Sequence, residues 1–410
     1  MSGPLDSSEF SRDPYPALAA LRERGPVQRI PTGNGRRTWV VTGWAAARAA
    51  LADGRLSKDT ARYFAGRPAT RDLAPAVSRT MLATDPPDHG RLRKLAMKAF
   101  TTAAVTRLEP RIREIAEGLA DALAARLAAH GVADLIEEYA APLPIAVISE
   151  LLGVPERDRA AVRRWSNTLF AAADPDSVVD RASHALSDYM TELIAERRRA
   201  PGEDVLSALI AARDEQDRLT EPELGSLAVL LVVAGHETTT HLIGNGMLAL
   251  LQDDRPPATA GRYSHRARLQ ADPGLLPGAI EEFLRYDAPM TTATFRYATE
   301  AMELGGARIE PGDVVLVSPG AANRDPAQFP APDAVRLDRP TGHLSFGHGP
   351  HHCLGAPLAR LEARIAFEVL LTRFPELRRT EEGTDALDWR RTRLMRGLAA
   401  LPVTLNGQTG

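Results

Sequence analysis

Residues 346–355 read Phe346-Gly347-His348-Gly349-Pro350-His351-His352-Cys353-Leu354-Gly355. Cys353 is the only cysteine in 410 residues, which excludes internal disulfides and any zinc site built from several thiolates. Glycines at 347, 349 and 355 frame it, and glycine permits close backbone approach and unusual dihedrals. Four of the ten histidines (343, 348, 351 and 352) fall within ten residues. After the cysteine, Leu358, Leu361, Ile365 and Val369 are spaced to share one face of a helix. A thiol at such a helix N-terminus faces free amides, so its pKa is expected to be depressed. Three jobs are open to Cys353: inert core residue, nucleophile or metal ligand. The glycine frame argues against inertness. A thiolate wrapped by amides suits attack or ligation, with His351 or His352 as competing metal ligands.

Upstream, Thr220-Glu221-Pro222-Glu223 has the spacing of a capping box and opens a helix expected to run to about residue 252. At 1.5 Å per residue that is roughly 46 Å. Residues 227–234 are apolar on every face, so the helix is expected to pass through the core. Polarity then interrupts it at Ala234-Gly235-His236-Glu237-Thr238-Thr239-Thr240. An acid and hydroxyls inside a buried helix are costly unless used, and threonines bonded to carbonyls four back can kink it. Glu282 and Arg285 stand at i,i+3 in Glu281-Glu282-Phe283-Leu284-Arg285 and can pair.

Composition is ordinary for a globular chain, 44% hydrophobic and 25% charged, and long enough to enclose a cofactor-sized cavity. A net charge of -3 gives no basic field for nucleic acid. The N-terminus lacks a basic and an apolar region, and the apolar run 227–235 is short of a membrane span. These features predict a cytoplasmic protein with no membrane attachment. Residues 37–42 read as a strand, followed by a helix from about 44 to 51; 59–83 are irregular. The pattern is then helical from about 89 to 252, with breaks near 143, 154, 175 and 201. Short β-like runs follow at 292–298, 307–309 and 314–317, and one more helix after Cys353. The polar, breaker-rich stretch 253–266 reads as a surface loop. The expectation is a mainly α chain with minor β, in one domain over residues 1–410.

The 346–355 segment resembles the haem-binding loop of the cytochrome P-450 family, Phe-Gly-x-Gly-x-His/Arg-x-Cys-x-Gly, at every fixed position. The 234–239 segment is similar to that family's Ala/Gly-Gly-x-Asp/Glu-Thr-Thr signature, and 282–285 to its Glu-x-x-Arg element. The resemblance implies a P-450 fold with a long central helix over a buried haem b. It makes Cys353 the thiolate ligand of iron, in a loop contributed by Phe346, Gly347, Leu354 and Gly355. His351, His89, Arg93 and Arg296 become propionate donors. Glu237 and Thr238 relay protons to dioxygen, while Ala234 and Gly235 leave room above the haem. Glu282 and Arg285 buttress the loop as a structural pair, completed by Arg339 or His343. By family topology the substrate pocket draws on residues 62–82 and 170–176, and on Val233, Ala234, Met290, Thr291, Ala293, Leu394 and Met395.

Matches continue at 322–326 and 355–360. Two departures are the length of 253–266 and Ala301 where an acid is frequent. The implied activity is monooxygenation, hydroxylation or epoxidation of a hydrophobic small molecule in secondary metabolism, such as a polyketide or terpenoid. Peroxygenation and radical coupling stay open. No flavin- or iron–sulfur-type segment is fused to the chain. Electrons from NAD(P)H are therefore expected through a separate ferredoxin and its reductase, onto a monomer. Arg91, Lys94 and Lys98 form a solvated face or a dock for that carrier. A silent helper of the same fold would be expected to lose the thiolate, and a cysteine hydrolase leaves the other motifs unexplained.

Overall fold

In a computed structural model of the protein, the described residues are 5, 7–32, 35–66, 71–97, 100–172, 174–216, 219–253, 264–340, 342–380, 387–392 and 394–405. Most of the 253–266 stretch, and Lys98, lie outside them. Helices dominate, as expected. The Glu109–His130, Pro142–Leu151, Glu156–Phe170 and Asp176–Arg199 helices surround a central pair, and Ala356–Arg373 follows the cysteine.

The long helix is two helices. Glu221–Gly235 opens on the expected capping box: Thr220 Oγ1 accepts from the Glu223 amide at 3.3 Å, and Glu223 Oε2 from the Thr220 amide at 2.8 Å. It stops at His236, and Glu237–Asp253 begins one residue later. Side chains take up the carbonyls freed there. His236 Nδ1 lies 3.0 Å from the Val232 carbonyl, and the Thr238 and Thr240 hydroxyls donate at 3.0 Å to Ala234 and His236. Threonine back-bonding of this kind bends helices. The span 221–252 is long and apolar enough to cross a membrane, but 78% of its apolar 18-residue window is buried in the protein. It is therefore a core element.

Close approach explains the glycines of the second helix. A Cβ on Gly246 would sit 2.5 Å from Phe367 Cζ, and one on Gly244 2.6 Å from Ile136 Cδ1. Bare backbone at these points lets the helix cross Leu276–Tyr286 and Ala356–Arg373 at the main core, where Phe283 and Phe367 meet at 5.3 Å between ring centres.

The sheets are small. Strands β1 (Val27–Ile30), β2 (Thr38–Val41), β3 (Leu56–Ser57), β5 (Tyr297–Ala298) and β8 (Val314–Val317) form one sheet in the order β1-β2-β8-β5-β3. β2 and β8 run parallel, pairing Trp39 with Val315. β4 (Val132–Asp134), β9 (Leu377–Arg379) and β10 (Pro402–Leu405) form a second, and β6 (Met302–Leu304) with β7 (Ala307–Ile309) a hairpin. The sequence pattern missed β1, β3, β4, β6, β9 and β10, which are two to four residues long and too short to show a period. It also overextended 292–298. Only Tyr297 and Ala298 pair as a ladder there; the Thr292 and Ala293 amides donate singly to the Leu394 and Val317 carbonyls.

Candidate active site

The cysteine loop is folded by its own backbone. The Cys353 amide donates to the Phe346 carbonyl at 2.8 Å, and that of Gly347 to Leu344 at 2.8 Å. Gly347 and Gly349 have φ of +74° and +73°, which only glycine adopts at no cost. Gly349 is doubly required, since a Cβ there would lie 2.9 Å from the Ala52 Cα. Gly355 caps the Ala356–Arg373 helix, and the Cys353 sulfur receives the Gly355 and Ala356 amides. Even so, burial outweighs these amides and pushes the thiol above its ordinary range. The expectation of a depressed pKa does not hold for the polypeptide alone.

Cys353 faces a largely apolar cavity, within which the centre of a water-sized sphere can roam through ≈ 250 Å³. The facing wall is the break between the central helices, with Ala234, Gly235, Thr238 and Thr239. Gly235 also lets the Pro142–Leu151 helix come close, since its Cβ would be 3.1 Å from Ile148. Phe346, Gly347, His351, Leu354 and Gly355 line the cavity, as do Arg93 and Arg296. His89 stands just behind, its ring centre 3.9 Å from that of His351.

Of the substrate-lining residues expected from sequence, Ala234, Met290 and Ala293 line the cavity. Val233, Thr291, Leu394 and Met395 are not among its lining. Val233 packs into the main core, and Thr291 is buried with its carbonyl accepting from Ser318. Leu394 and Met395 act through backbone, Met395 by a bridge to Met290.

Lys58 was missed by the motif reading. It is 3% exposed, and its ammonium donates to Thr294 Oγ1 at 2.6 Å. A signal was present: it is one of three lysines among 50 basic residues. With Arg93, Arg296, His89 and His351 it makes a desolvated cationic cluster at one end of the cavity. Burial pulls Lys58 down to about 7, helped by Arg296, and Arg296 itself down to about 10. Burial and these same cations keep both histidines neutral, and His89 Nε2 and His351 Nδ1 are buried with no hydrogen-bond partner. The neighbouring carboxylate, Asp85, is already held by the Lys58 amide at 2.9 Å. Glu362 also lines the cavity from beneath. It is fully buried, its Oε2 has no partner, and burial pushes its carboxyl well above the usual range.

The loop is clamped from behind. Arg285 donates Nε and Nη2 to the two Glu282 oxygens at 2.7 and 2.8 Å, and also donates to the Asn323, Pro332 and Ala334 carbonyls. Arg339 Nε, at 3.1 Å from Glu282 Oε1, completes this cluster. His343 does not: its Nε2 lies 3.1 Å from Glu281, which Arg360 grips bidentately from the following helix.

A family model for cytochrome P450 matches residues 10–258 and 262–388. Cytochrome P450 107B1 of Saccharopolyspora erythraea is 47% identical over 402 residues, covering 96% of this chain and 95% of that protein. The chain belongs to the cytochrome P450 family. Mycinamicin IV hydroxylase/epoxidase of Micromonospora griseorubida is 43% identical over 387 residues, 93% of each chain. The solved structure of the polyketide-biosynthesis P450 PksS of Bacillus subtilis superposes with a TM-score of 0.87 at 37% identity, covering 98% of both chains.

As a P450, the protein is a haem-dependent monooxygenase that uses dioxygen on a small molecule. Its residues fit haem. The cavity is largely apolar, as a porphyrin ring requires, a thiol stands at one wall, and the unpartnered His89 and His351 nitrogens stand beside Lys58, Arg93 and Arg296, a donor set that suits two carboxylates.

Proposed function

We propose that Cys353 ligates the haem iron and that His89, Arg93, Arg296, His351 and Lys58 hold its propionates, within one haem domain spanning residues 1–410. The observation that carries this is the thiol and the desolvated cations converging on one apolar cavity. When bound, haem supplies dioxygen activation and transfer of one oxygen atom. This chain's residues supply the surroundings. Apolar walls of Leu82, Ile148, Leu230, Leu231 and Met290 exclude water and favour an uncharged substrate. The Thr238 hydroxyl, at the cavity wall and held on the Ala234 carbonyl, passes a proton inward. The buried Glu237 next to it holds that proton in reserve.

The substrate we infer is a polyketide-like or terpenoid-like natural product, hydroxylated or epoxidised in secondary metabolism. Supporting this are the apolar lining, with no carboxylate but Glu362 among the described lining residues, and the relatives that act on mycinamicin IV or serve polyketide biosynthesis. Electrons come from NAD(P)H through a ferredoxin and its reductase to a cytoplasmic monomer. The exposed Lys94 offers the carrier a cation, whereas Arg91 is already paired with Glu223.

Thr238→Ala tests the reading. Macrolactone polyketides should still shift the haem spin state. Product per NAD(P)H consumed should fall at least ~10-fold, the balance appearing as hydrogen peroxide, since positioned proton transfer contributes ~10²–10⁴-fold. Unchanged coupling removes Thr238 from the proton path. A second prediction concerns Lys58→Met. A charge-assisted hydrogen bond is worth about 1.5–3 kcal/mol, so haem transfer to excess apomyoglobin should accelerate roughly 10–100-fold. An unchanged transfer rate removes Lys58 from the propionate site.

A further inference from the structure

Behind Thr238 lies a polar pocket that the oxygenation motifs do not account for. Glu237 is 1% exposed, and neither carboxyl oxygen has a hydrogen-bond partner. One turn along the same helix, His241 is also 1% exposed, and neither ring nitrogen is hydrogen-bonded. Its Nε2 is 3.8 Å from Glu237 Oε1. On the other side, Arg390 Nη1 reaches to 3.3 Å from the same oxygen. A single hairpin places both neighbours. The Arg390 amide donates to the Gly397 carbonyl at 2.9 Å, and Gly397 lies against the imidazole. A Cβ at 397 would sit 1.8 Å from His241 Nδ1, so the site is shaped around this ring. Arg390 is 27% exposed and lines a surface cleft with Glu137, Arg163 and Asn167, so its guanidinium stands between that cleft and the buried acid.

We propose that His241 is a positioning residue for Glu237: its neutral imidazole accepts the carboxyl proton's hydrogen bond and keeps the acid loaded behind Thr238, while Arg390 pulls toward the carboxylate. The bond requires the two atoms to come closer than the 3.8 Å that separates them here. This rests on the reading of Glu237 and Thr238 as the proton path. The surrounding charges agree with it. Burial pushes Glu237 up to about 7 against Arg390 and Arg163, so it is protonated below that pH and releases its proton above it. Burial holds His241 down at about 3, so near neutral pH it is an acceptor and not a cation. His236, the other imidazole here, is held down at about 4 and bonded to Val232 and Asn167. Arg163 is committed to Glu137 at 2.7 and 2.9 Å. Arg390 and Arg163 thus pull the Glu237 proton off, and His241 stands beside the acid as a neutral acceptor with no other hydrogen bond.

The test is an infrared pH titration of the holoprotein, following the protonated-carboxyl band that Glu237→Gln removes. A neutral hydrogen bond is worth about 0.5–1.5 kcal/mol, so His241→Leu should lower the midpoint by about one pH unit. His241→Asn, which restores an acceptor, should return it toward wild type. Arg390→Gln should raise it. A midpoint unmoved by His241→Leu overturns the proposal and leaves His241 a packing residue. If His241→Leu does not fold, His241→Ala decides: a midpoint that stays at the wild-type value there, while Arg390→Gln still raises it, also overturns the proposal. Failure of the underlying path reads differently. In that case the midpoint shifts as stated but Glu237→Gln leaves product per electron unchanged.

Discussion

Cys353→Ala is expected to abolish product formation and to erase the strongly red-shifted Soret band of the reduced, carbon monoxide-bound protein. Thiolate ligation produces that band, and the described residues contain no second thiol to substitute. The variant should nevertheless fold. The loop is closed by main-chain bonds, Cys353 to Phe346 and Gly347 to Leu344, which alanine keeps. The thiol borders the cavity and so leaves no closed void when removed. An unchanged melting transition of the haem-free protein, together with a lost band, separates ligand loss from misfolding. Persistence of the band in Cys353→Ala would sink the assignment, as would its absence from the haem-loaded wild type, which would point to His351 or His352.

Arg285→Ala should have the largest effect on stability. Arg285 is 2% exposed and spends its guanidinium on Glu282 and three carbonyls, so its removal strands buried acceptors from three chain segments. Breaking one partner of a buried pair costs about 3–5 kcal/mol, a large part of a typical ~5–15 kcal/mol total. Arg339 still reaches Glu282, which favours the lower end of that range. The melting temperature should fall by about 3–6 °C, with poor haem retention. Arg285→Lys should not rescue it, because an ammonium cannot reproduce the planar fork. The exposed Arg308–Glu310 pair is the control: Arg308→Ala should leave melting unchanged. Equal losses in the two variants would contradict the role given to burial.

The elements that sequence made legible are those whose information is local. The capping box at Thr220, the helix after Cys353, the parallel partner strands 38–41 and 314–317 and the glycine-framed loop are each set within a few residues. The capping box closes as its spacing requires, yet the helix it opens ends at His236. Hydroxyl and imidazole groups there compete for carbonyls within a single turn. Most of the shortest strands escaped notice because two to four residues are too few to show a period, and for β4 the partner lies hundreds of residues away, Ala133 with Val403.

The same division runs through the site. Sequence alone determined the family, the lone cysteine as the informative residue, and the presence of the Glu237-Thr238 motif. Tertiary structure alone decided that Arg339 and not His343 completes the Glu282 cluster, and that Lys58 joins the cationic end of the cavity. It also placed His241, Arg390 and Gly397 around Glu237 and kept Val233, Thr291, Leu394 and Met395 off the cavity wall. The physical reason is common to all of these. A motif specifies which chemical groups are present, but what a charged or polar group does depends on how much water it loses and which distant chain segments replace that water.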